Sequence, residues 1–363
     1  MKILDAYILK TFLKTFIFSL FLFTLIAVAV DASEKAEDFI QSRLTTLQVI
    51  QKYYFGFIPH ITSLLFPVFV LISVVFFTSK LAFRSEIIAM LSTGMSLSRV
   101  LLPYWMGGGI LALSLSLANH FLVPAANKIR TDFENKYIDM GTIQSKSYQY
   151  LTNLHFRIDT FTYAGMRSYD TTSKTGQGFF LERLEGNQMQ YNLRSETISW
   201  DTAKKEWKLE NVVERKIKGI REEVKHMQSY TIRLGYLPSD IVDDEFKKDK
   251  LKTPALSRLI RQEKRRGSEG VTALQFERYR RDSYAVSVII MTLIAGILAS
   301  RKVRGGSGLH LALAFVIGVT FIIVDKFSMV FSTKGNLPPL VAAWIPSVLF
   351  GIVALWLYRK SPK

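Results

Sequence analysis

Side chains that commonly make and break covalent bonds are scarce in this 363-residue chain, which has five isolated histidines and no cysteine. No zinc-ligand spacing, H-E-x-x-H run or G-x-S-x-G run occurs, so a resident metal and hydrolytic chemistry are not expected. The glycine clusters Gly107-Gly108-Gly109 and Gly305-Gly306-Ser307-Gly308 lack the lysine and the strand-to-helix setting of a phosphate loop. The chain is therefore not expected to hydrolyse ATP itself or to need a cofactor. What remains is charge in unusual places. Asp325 and Lys326 interrupt an apolar run, where ionisable groups mark a pathway or a paired interior site, unless Lys326 extends to the interface and Asp325 neutralises a neighbour. Arg278, Arg280 and Arg281 stand just before another such run, and Lys35 just after one. Arg84 and Glu86 open a short amphipathic segment that ends at Gly94, with Glu86 suited to the positive end of a helix. These groups recognise charge; none is set up to break a bond.

The elements that must position them are apolar stretches of membrane-crossing length. They run from about Phe12 to Val30, Phe57 to Thr78, Leu101 to Val123, Tyr284 to Ser300, Leu309 to Phe331 and Leu340 to Tyr358. Each is near the ~20 residues that cross a hydrocarbon core. A cleaved signal peptide ending at Ala27-Val28-Ala29 is the alternative for the first, but Val30 continues the apolar run. The absence of cysteine is compatible with reducing and oxidising compartments alike.

Orientation follows from lysine and arginine in the short connections. Lys2, Lys10, Lys14, Lys80, Arg84, Arg99, Arg301, Lys302, Arg304, Arg359, Lys360 and Lys363 fall on one side, against Lys35, Arg43, Lys52 and Lys334 opposite. The positive-inside rule places both termini in the cytoplasm and the long polar insertion outside, although Arg278, Arg280 and Arg281 then lie on the external side. The net charge of +17 suits a protein at anionic membranes but selects no ligand, and no nucleic-acid motif accompanies it.

Between the third and fourth spans the pattern changes to period two. Tyr148-Gln149-Tyr150-Leu151 and His155-Phe156-Arg157-Ile158 read as strands, with turns expected at Thr175-Gly176-Gln177-Gly178 and Glu185-Gly186-Asn187. Thr197 to Trp200 and Glu206 to Leu209 read as a hairpin around Asp201 to Lys205. The expected fold class is an α-helical membrane protein with six transmembrane helices and an inserted all-β, jelly-roll-like domain of two sheets. A solid core and an opening able to hold a lipid chain suit this pattern equally. The expected organisation is spans one to three with a helical turn at about 84–95 in residues 1–124, the β domain in 125–252, a basic linker helix region in 253–282, and spans four to six in 283–363. The linker helix opens at Thr253-Pro254 and closes at Gly267, carrying Arg258, Arg261, Lys264, Arg265 and Arg266 beside Leu256, Leu259 and Ile260. It either meets anionic headgroups or packs its leucines on the domain and leaves its cations in water.

The run Glu86-Ile87-Ile88-Ala89-Met90 with Ser92 and Gly94-Met95-Ser96 resembles the lipopolysaccharide-export permeases LptF and LptG. So do Leu4-Asp5-Ala6-Tyr7-Ile8-Leu9-Lys10-Thr11-Phe12, the box Phe276-Glu277-Arg278-Tyr279-Arg280-Arg281, and Asn336-Leu337-Pro338-Pro339-Leu340 with Trp344-Ile345-Pro346. The resemblance covers essentially the whole chain. It departs at Ser283-Tyr284-Ala285, where a proline is expected.

The resemblance implies half of an ABC transporter in a Gram-negative inner membrane, paired with a second LptF/LptG-type permease. An LptB-like ATPase dimer, which binds the ATP, would dock at a coupling helix containing Arg84, Glu86, Met90 and Gly94. LptC-like and LptA-like periplasmic jelly-roll proteins would continue the bridge toward the outer membrane. Lipopolysaccharide would be the cargo, with Lys35, Arg278, Arg280, Arg281, Asp325 and Lys326 as candidate contacts; headgroup anchoring is the alternative role for the arginines. The rival reading is a transmembrane sensor or mechanotransmission protein that binds a ligand on its β domain and carries no lipid. It would require an output domain where the chain has only short basic loops.

Overall fold

The computed structural model describes residues 3–138, 150–186, 188–219, 221–241, 247–266, 270–301 and 307–361. Lys2, Lys302, Arg304 and Lys363 of the charge count, Tyr148-Gln149, Asn187, the helix end at Gly267 and Gly305-Gly306 lie outside them. Among the described residues six helices are long and apolar enough to cross a membrane. They are α1 (Ile3–Glu34), α2 (Thr46–Phe83), α4 (Leu97–Ile138), α6 (Val271–Ala299), α7 (Ser307–Thr333) and α8 (Pro339–Arg359), with α3 (Glu86–Ser92) between α2 and α4 and α5 (Thr253–Arg266) before α6. Each contains one of the expected spans, except that α6 ends at Ala299, one residue short of the expected Ser300, and α1 passes unbroken through Ala27-Val28-Ala29.

The chain divides into two compact units. The first is Met1–Phe133, Lys248–Leu256 and Thr272–Lys363. Its core is aromatic: Phe12 lies 5.8 Å from Phe77, which lies 5.5 Å from Tyr104, and the Tyr104 hydroxyl is 3.0 Å from that of Thr78. Toward α7 and α8, Phe321 packs 5.8 Å from Tyr284 and 5.5 Å from Phe350. These stacks fix the helix faces, because large rings combine extensive burial with directional packing. Phe18 and Phe21 on α1 and Phe315 and Phe327 on α7 are at least 60% exposed. That is the face expected of a helix whose surroundings are lipid or another apolar chain. Two π-helical turns, Ile50–Tyr54 and Ala118–Leu122, interrupt α2 and α4. The second rotates Asn119 inward, where Ser63 donates to it at 2.5 Å.

The second unit is Glu134–Lys247 and Ser257–Val271. Its strands are β1 (Tyr150–Arg157), β2 (Thr162–Asp170), β3 (Thr175–Glu185), β4 (Gln188–Asp201), β5 (Glu206–Lys218) and β6 (Arg221–Ile232), forming one antiparallel sheet in chain order. The expected hairpin pairs Trp200 with Trp207 and Asp201 with Glu206. Its turn is held by Asp201, whose carboxylate accepts from the amides of Ala203 and Lys204 and so lies below the usual aspartate pKa range.

Two expectations are corrected in this unit. Thr175 to Gly178 form the start of β3 and not a turn, the reversal being made by residues 171–174. Gly176 is inside the strand because a Cβ there would meet the Met166 sulfur at 2.7 Å and Ile198 at 2.9 Å. The expected pair of sheets is, among the described strands, a single curled one. Tyr169 on β2 and Trp207 on β5 are three strand spacings apart, about 14 Å in a flat sheet, yet their ring centroids are 6.3 Å apart. The segment after β6 completes the curl. Tyr236 accepts from the Trp207 indole at 2.9 Å and donates its hydroxyl to the Arg157 carbonyl at 2.6 Å.

Candidate sites for coupling and for charge recognition

Helix α3 is short and tied down on one side. Ser85 enters it at φ 62°, turning the chain sharply after α2. Ile87 and Met90 are buried, both within the core of the first unit. Glu86 and Ile88 consequently face outward, and Phe83, just before the turn, is 67% exposed. Arg84 lies 4.0 Å from Glu86 and is itself largely exposed. Gly94 closes the turn at φ +82°. The neighbouring start of α4 is pinned to α1 by Arg99, which donates to the buried Asp5 at 2.7 Å. The result is a rigidly seated knob presenting one carboxylate and apolar side chains.

Lys35 follows α1 directly. Its ammonium hydrogen-bonds the Tyr53 hydroxyl, lies 3.5 Å from Asp31 and sits 4.6 Å from the Tyr53 ring centroid. Tyr53 in turn donates to Asp31 at 2.9 Å. Phe39 and Phe133 pack on Tyr53 at 5.4 and 5.3 Å. Lys35 is thus a positioned cation on an aromatic wall, about a quarter exposed.

The arginine box divides by function. Arg281 is buried and gives its donors to Glu277 at 3.1 Å, the carbonyls of Leu251 and Lys248 at 2.9 and 3.1 Å, and the Thr253 hydroxyl at 3.0 Å. Those partners make it a clamp on residues 248–253, not an open cargo contact. Arg280 meets Glu277 at 3.4 Å, Asp325 at 3.2 Å and the Tyr284 hydroxyl at 3.0 Å. Asp325 also accepts from Tyr284 at 3.0 Å. The intramembrane aspartate is therefore a paired interior site, as its depth requires. Arg278 pairs with Asp282 at 2.5 Å in a partly exposed position, and Asp282 also meets His120 at 3.2 Å. Lys326 is exposed.

Arg280, Arg281, Glu277 and Tyr284 line a cavity of about 60 Å³ together with His60, Ser63, Asn119, Asn127 and Asp249. Burial pushes the Asp249 carboxyl up to about 6, and Glu277 adds to the effect. Sequence reasoning brought forward the arginines and Asp325 but missed Asp249, Asn119, Asn127 and His60. Glu277 with Arg280 and Arg281 has a local signal, the i,i+3 and i,i+4 spacing that makes helical neighbours. The others come from elements distant in sequence and have none.

Six helices long and apolar enough to cross a membrane, split three and three by an inserted antiparallel β unit, define a multi-pass membrane protein. The chain belongs to the lipopolysaccharide export system permease LptF/LptG family, whose pattern matches residues 6–360. It is similar to the lipopolysaccharide export system permease protein LptG of Escherichia coli strain K12, with 20% identity over 378 aligned positions covering 99% of each chain. The LptG protein of Escherichia coli O6:H1 is similar to the same extent.

Proposed function

We propose that this chain is one half of a two-permease transporter that withdraws lipopolysaccharide from the inner membrane, driven by a separate LptB-like ATPase. The observation that carries the reading is the α3 knob: Ile87 and Met90 are seated in the core while Glu86 and Ile88 face outward. A lever of this kind passes motion only if one side is fixed and the other is free to be gripped. Glu86 and Ile88 would enter the ATPase groove as a charged and an apolar anchor, with Arg84 flanking them and Gly94 ending the lever. Both termini lie in the cytoplasm in this reading, and the β unit lies outside it.

The energetics require a sheltered route. Moving acyl chains into water costs ~0.8 kcal/mol per CH₂, tens of kcal/mol for a lipid with several chains. The exposed apolar faces of α1 and α7 support pairing with a second LptF/LptG-type permease around a lipid-accessible space. The curled β unit would continue the route toward LptC-like and LptA-like partners. At its mouth Lys35, prepositioned by Tyr53, would meet an anionic group of the cargo, with Arg278 and the exposed Lys326 as further cations.

The test is purification of the full chain from its host, followed by the same experiment with Glu86→Ala and with a photo-crosslinker at Lys35. Loss of a copurifying ATPase, by about 30-fold for a ~2 kcal/mol anchor, and lipopolysaccharide adducts at position 35 are expected. An undiminished complex without lipid adducts would sink this mechanism and favour a sensor.

A further inference from the structure

Two hairpin loops of the β unit carry the same pattern. Tyr169-Asp170-Thr171-Thr172-Ser173-Lys174 leads from β2 to β3 and Trp200-Asp201-Thr202-Ala203-Lys204-Lys205 from β4 to β5, so aromatic-Asp-Thr-x-x-Lys occurs twice. The copies fold alike. Asp170 accepts from the amides of Thr172 at 2.8 Å and Ser173 at 3.4 Å, as Asp201 does from Ala203 at 2.9 Å and Lys204 at 3.1 Å. Lys174 and Lys205 each have φ 54°. The ladder puts both loops at one end of the sheet, where the Trp200 amide donates to the Lys174 carbonyl at 3.2 Å.

Turn formation explains the aspartates, which satisfy the loop amides, but not the lysines. A left-handed φ suits glycine or asparagine. The other described non-glycine residues of the β unit with positive φ are indeed asparagines, Asn153 and Asn211. What the repeated residues share is a cavity. Thr171, Lys174, Thr202 and Lys205 line a space of about 510 Å³ together with Trp200 and, from the segment after β6, Leu237. Ligand clefts span ~300–1,000 Å³. Both lysines are exposed, and among the described residues neither ammonium has an ion-pair partner. Among the described residues no acidic side chain lines the space, since Asp170 and Asp201 are engaged by their own loops. Trp200 is half-buried with its ring 5.0 Å from that of the buried Trp207, so the core fixes its position while part of the indole stays open.

We propose that this cavity binds a phosphorylated saccharide, with the sugar ring stacked on Trp200 and the phosphate held by Lys174 and Lys205. An indole suits a ligand that is apolar on one face and wet at its edge, as a sugar ring is. A phosphate monoester carries about −1.5 to −2 charges near neutral pH and offers three acceptor oxygens, which matches two ammonium groups better than the single charge of a carboxylate. The Thr202 hydroxyl is placed to meet a ring hydroxyl. A lipid-borne headgroup and a free sugar phosphate share this chemistry. The site goes beyond the transport reading, using none of the residues given there to coupling or to cargo cations.

The experiment uses the full-length chain in detergent, labelled with 5-fluorotryptophan. Its five tryptophans are followed by fluorine NMR, and Trp200→Phe identifies the Trp200 resonance. Titration with glucose 1-phosphate is expected to shift that resonance at concentrations where glucose and inorganic phosphate do not. Lys174→Asn and Lys205→Asn keep a residue suited to the left-handed turn while removing the cation. Each is expected to weaken glucose 1-phosphate binding about fivefold, the scale of one exposed charge pair, with the unfolding temperature unchanged. No shift at Trp200, an equal response to glucose or to inorganic phosphate, or undiminished binding in both lysine variants would each overturn the proposal. Purified lipopolysaccharide is then added to the glucose 1-phosphate complex. Displacement assigns the site to a lipid-borne headgroup, and retention assigns it to a free sugar phosphate. The readout does not involve Glu86, so this proposal and the coupling mechanism fail separately.

Discussion

A cation's value here is set by what its donors touch. Arg278 and Arg281 are three residues apart, but Arg281 has four protein acceptors in a buried setting and Arg278 has one partly exposed carboxylate. Removing one partner of a buried pair leaves the other charge uncompensated, which typically costs 3–5 kcal/mol, whereas exposed pairs contribute about 0–1 kcal/mol. Arg281→Gln is therefore expected to destabilise the first unit by about 3 kcal/mol. Arg278→Gln is expected to change stability by less than about 1 kcal/mol, with thermal unfolding in detergent as the readout. Equal effects would show that the 248–253 clamp holds nothing. Lys35 is intermediate, since Tyr53 and Asp31 fix its ammonium while a quarter of the side chain stays open.

Among the elements, α2 illustrates how close approach replaces side-chain packing. A Cβ on Gly56 would stand 2.5 Å from the carbonyl oxygen of Ala126 and 2.6 Å from the amide of Arg130, both backbone atoms of α4. Backbone cannot yield as a flexible side chain does. Gly56→Ala is expected to force α2 from α4 and to cost about 1–3 kcal/mol, seen as a lowered unfolding temperature. An unchanged temperature would mean that the two helices do not pack this closely. The β unit shows the same device at Gly176, where the missing side chain lets Met166 and Ile198 close over the strand. Curling then brings Tyr169 and Trp207 together and gives one sheet an enclosed core.

For the whole molecule the decisive question is orientation. In the proposed reading the side rich in Lys and Arg, beside α3 and the termini, faces the cytoplasm, as the positive-inside rule expects. The chain has no cysteine, so single introduced thiols report cleanly. A membrane-impermeant maleimide applied to intact spheroplasts is expected to label Thr202→Cys, in the exposed turn after β4, and to spare Ser92→Cys on α3. The opposite pattern would invert the topology and remove α3 from any ATPase in the cytoplasm.

The sequence by itself determined the six spans, because ~20 consecutive apolar residues have few stable alternatives to a membrane helix, and it determined the presence of the β insertion through period-two patterning. It also disclosed Glu277, Arg280 and Arg281 as helical neighbours. Tertiary structure decided what no local pattern encodes. Arg99 finds Asp5 across 94 positions, Asn127 finds the Asp249 carbonyl across 122, and Arg280 finds Asp325 from a different helix. The curl of the sheet belongs to the same class, since β2 and β5 meet only once the intervening strands have twisted. Local propensities act over a turn or a strand. Which charges become partners, and which one is left facing a cavity, depends on helices brought together by packing.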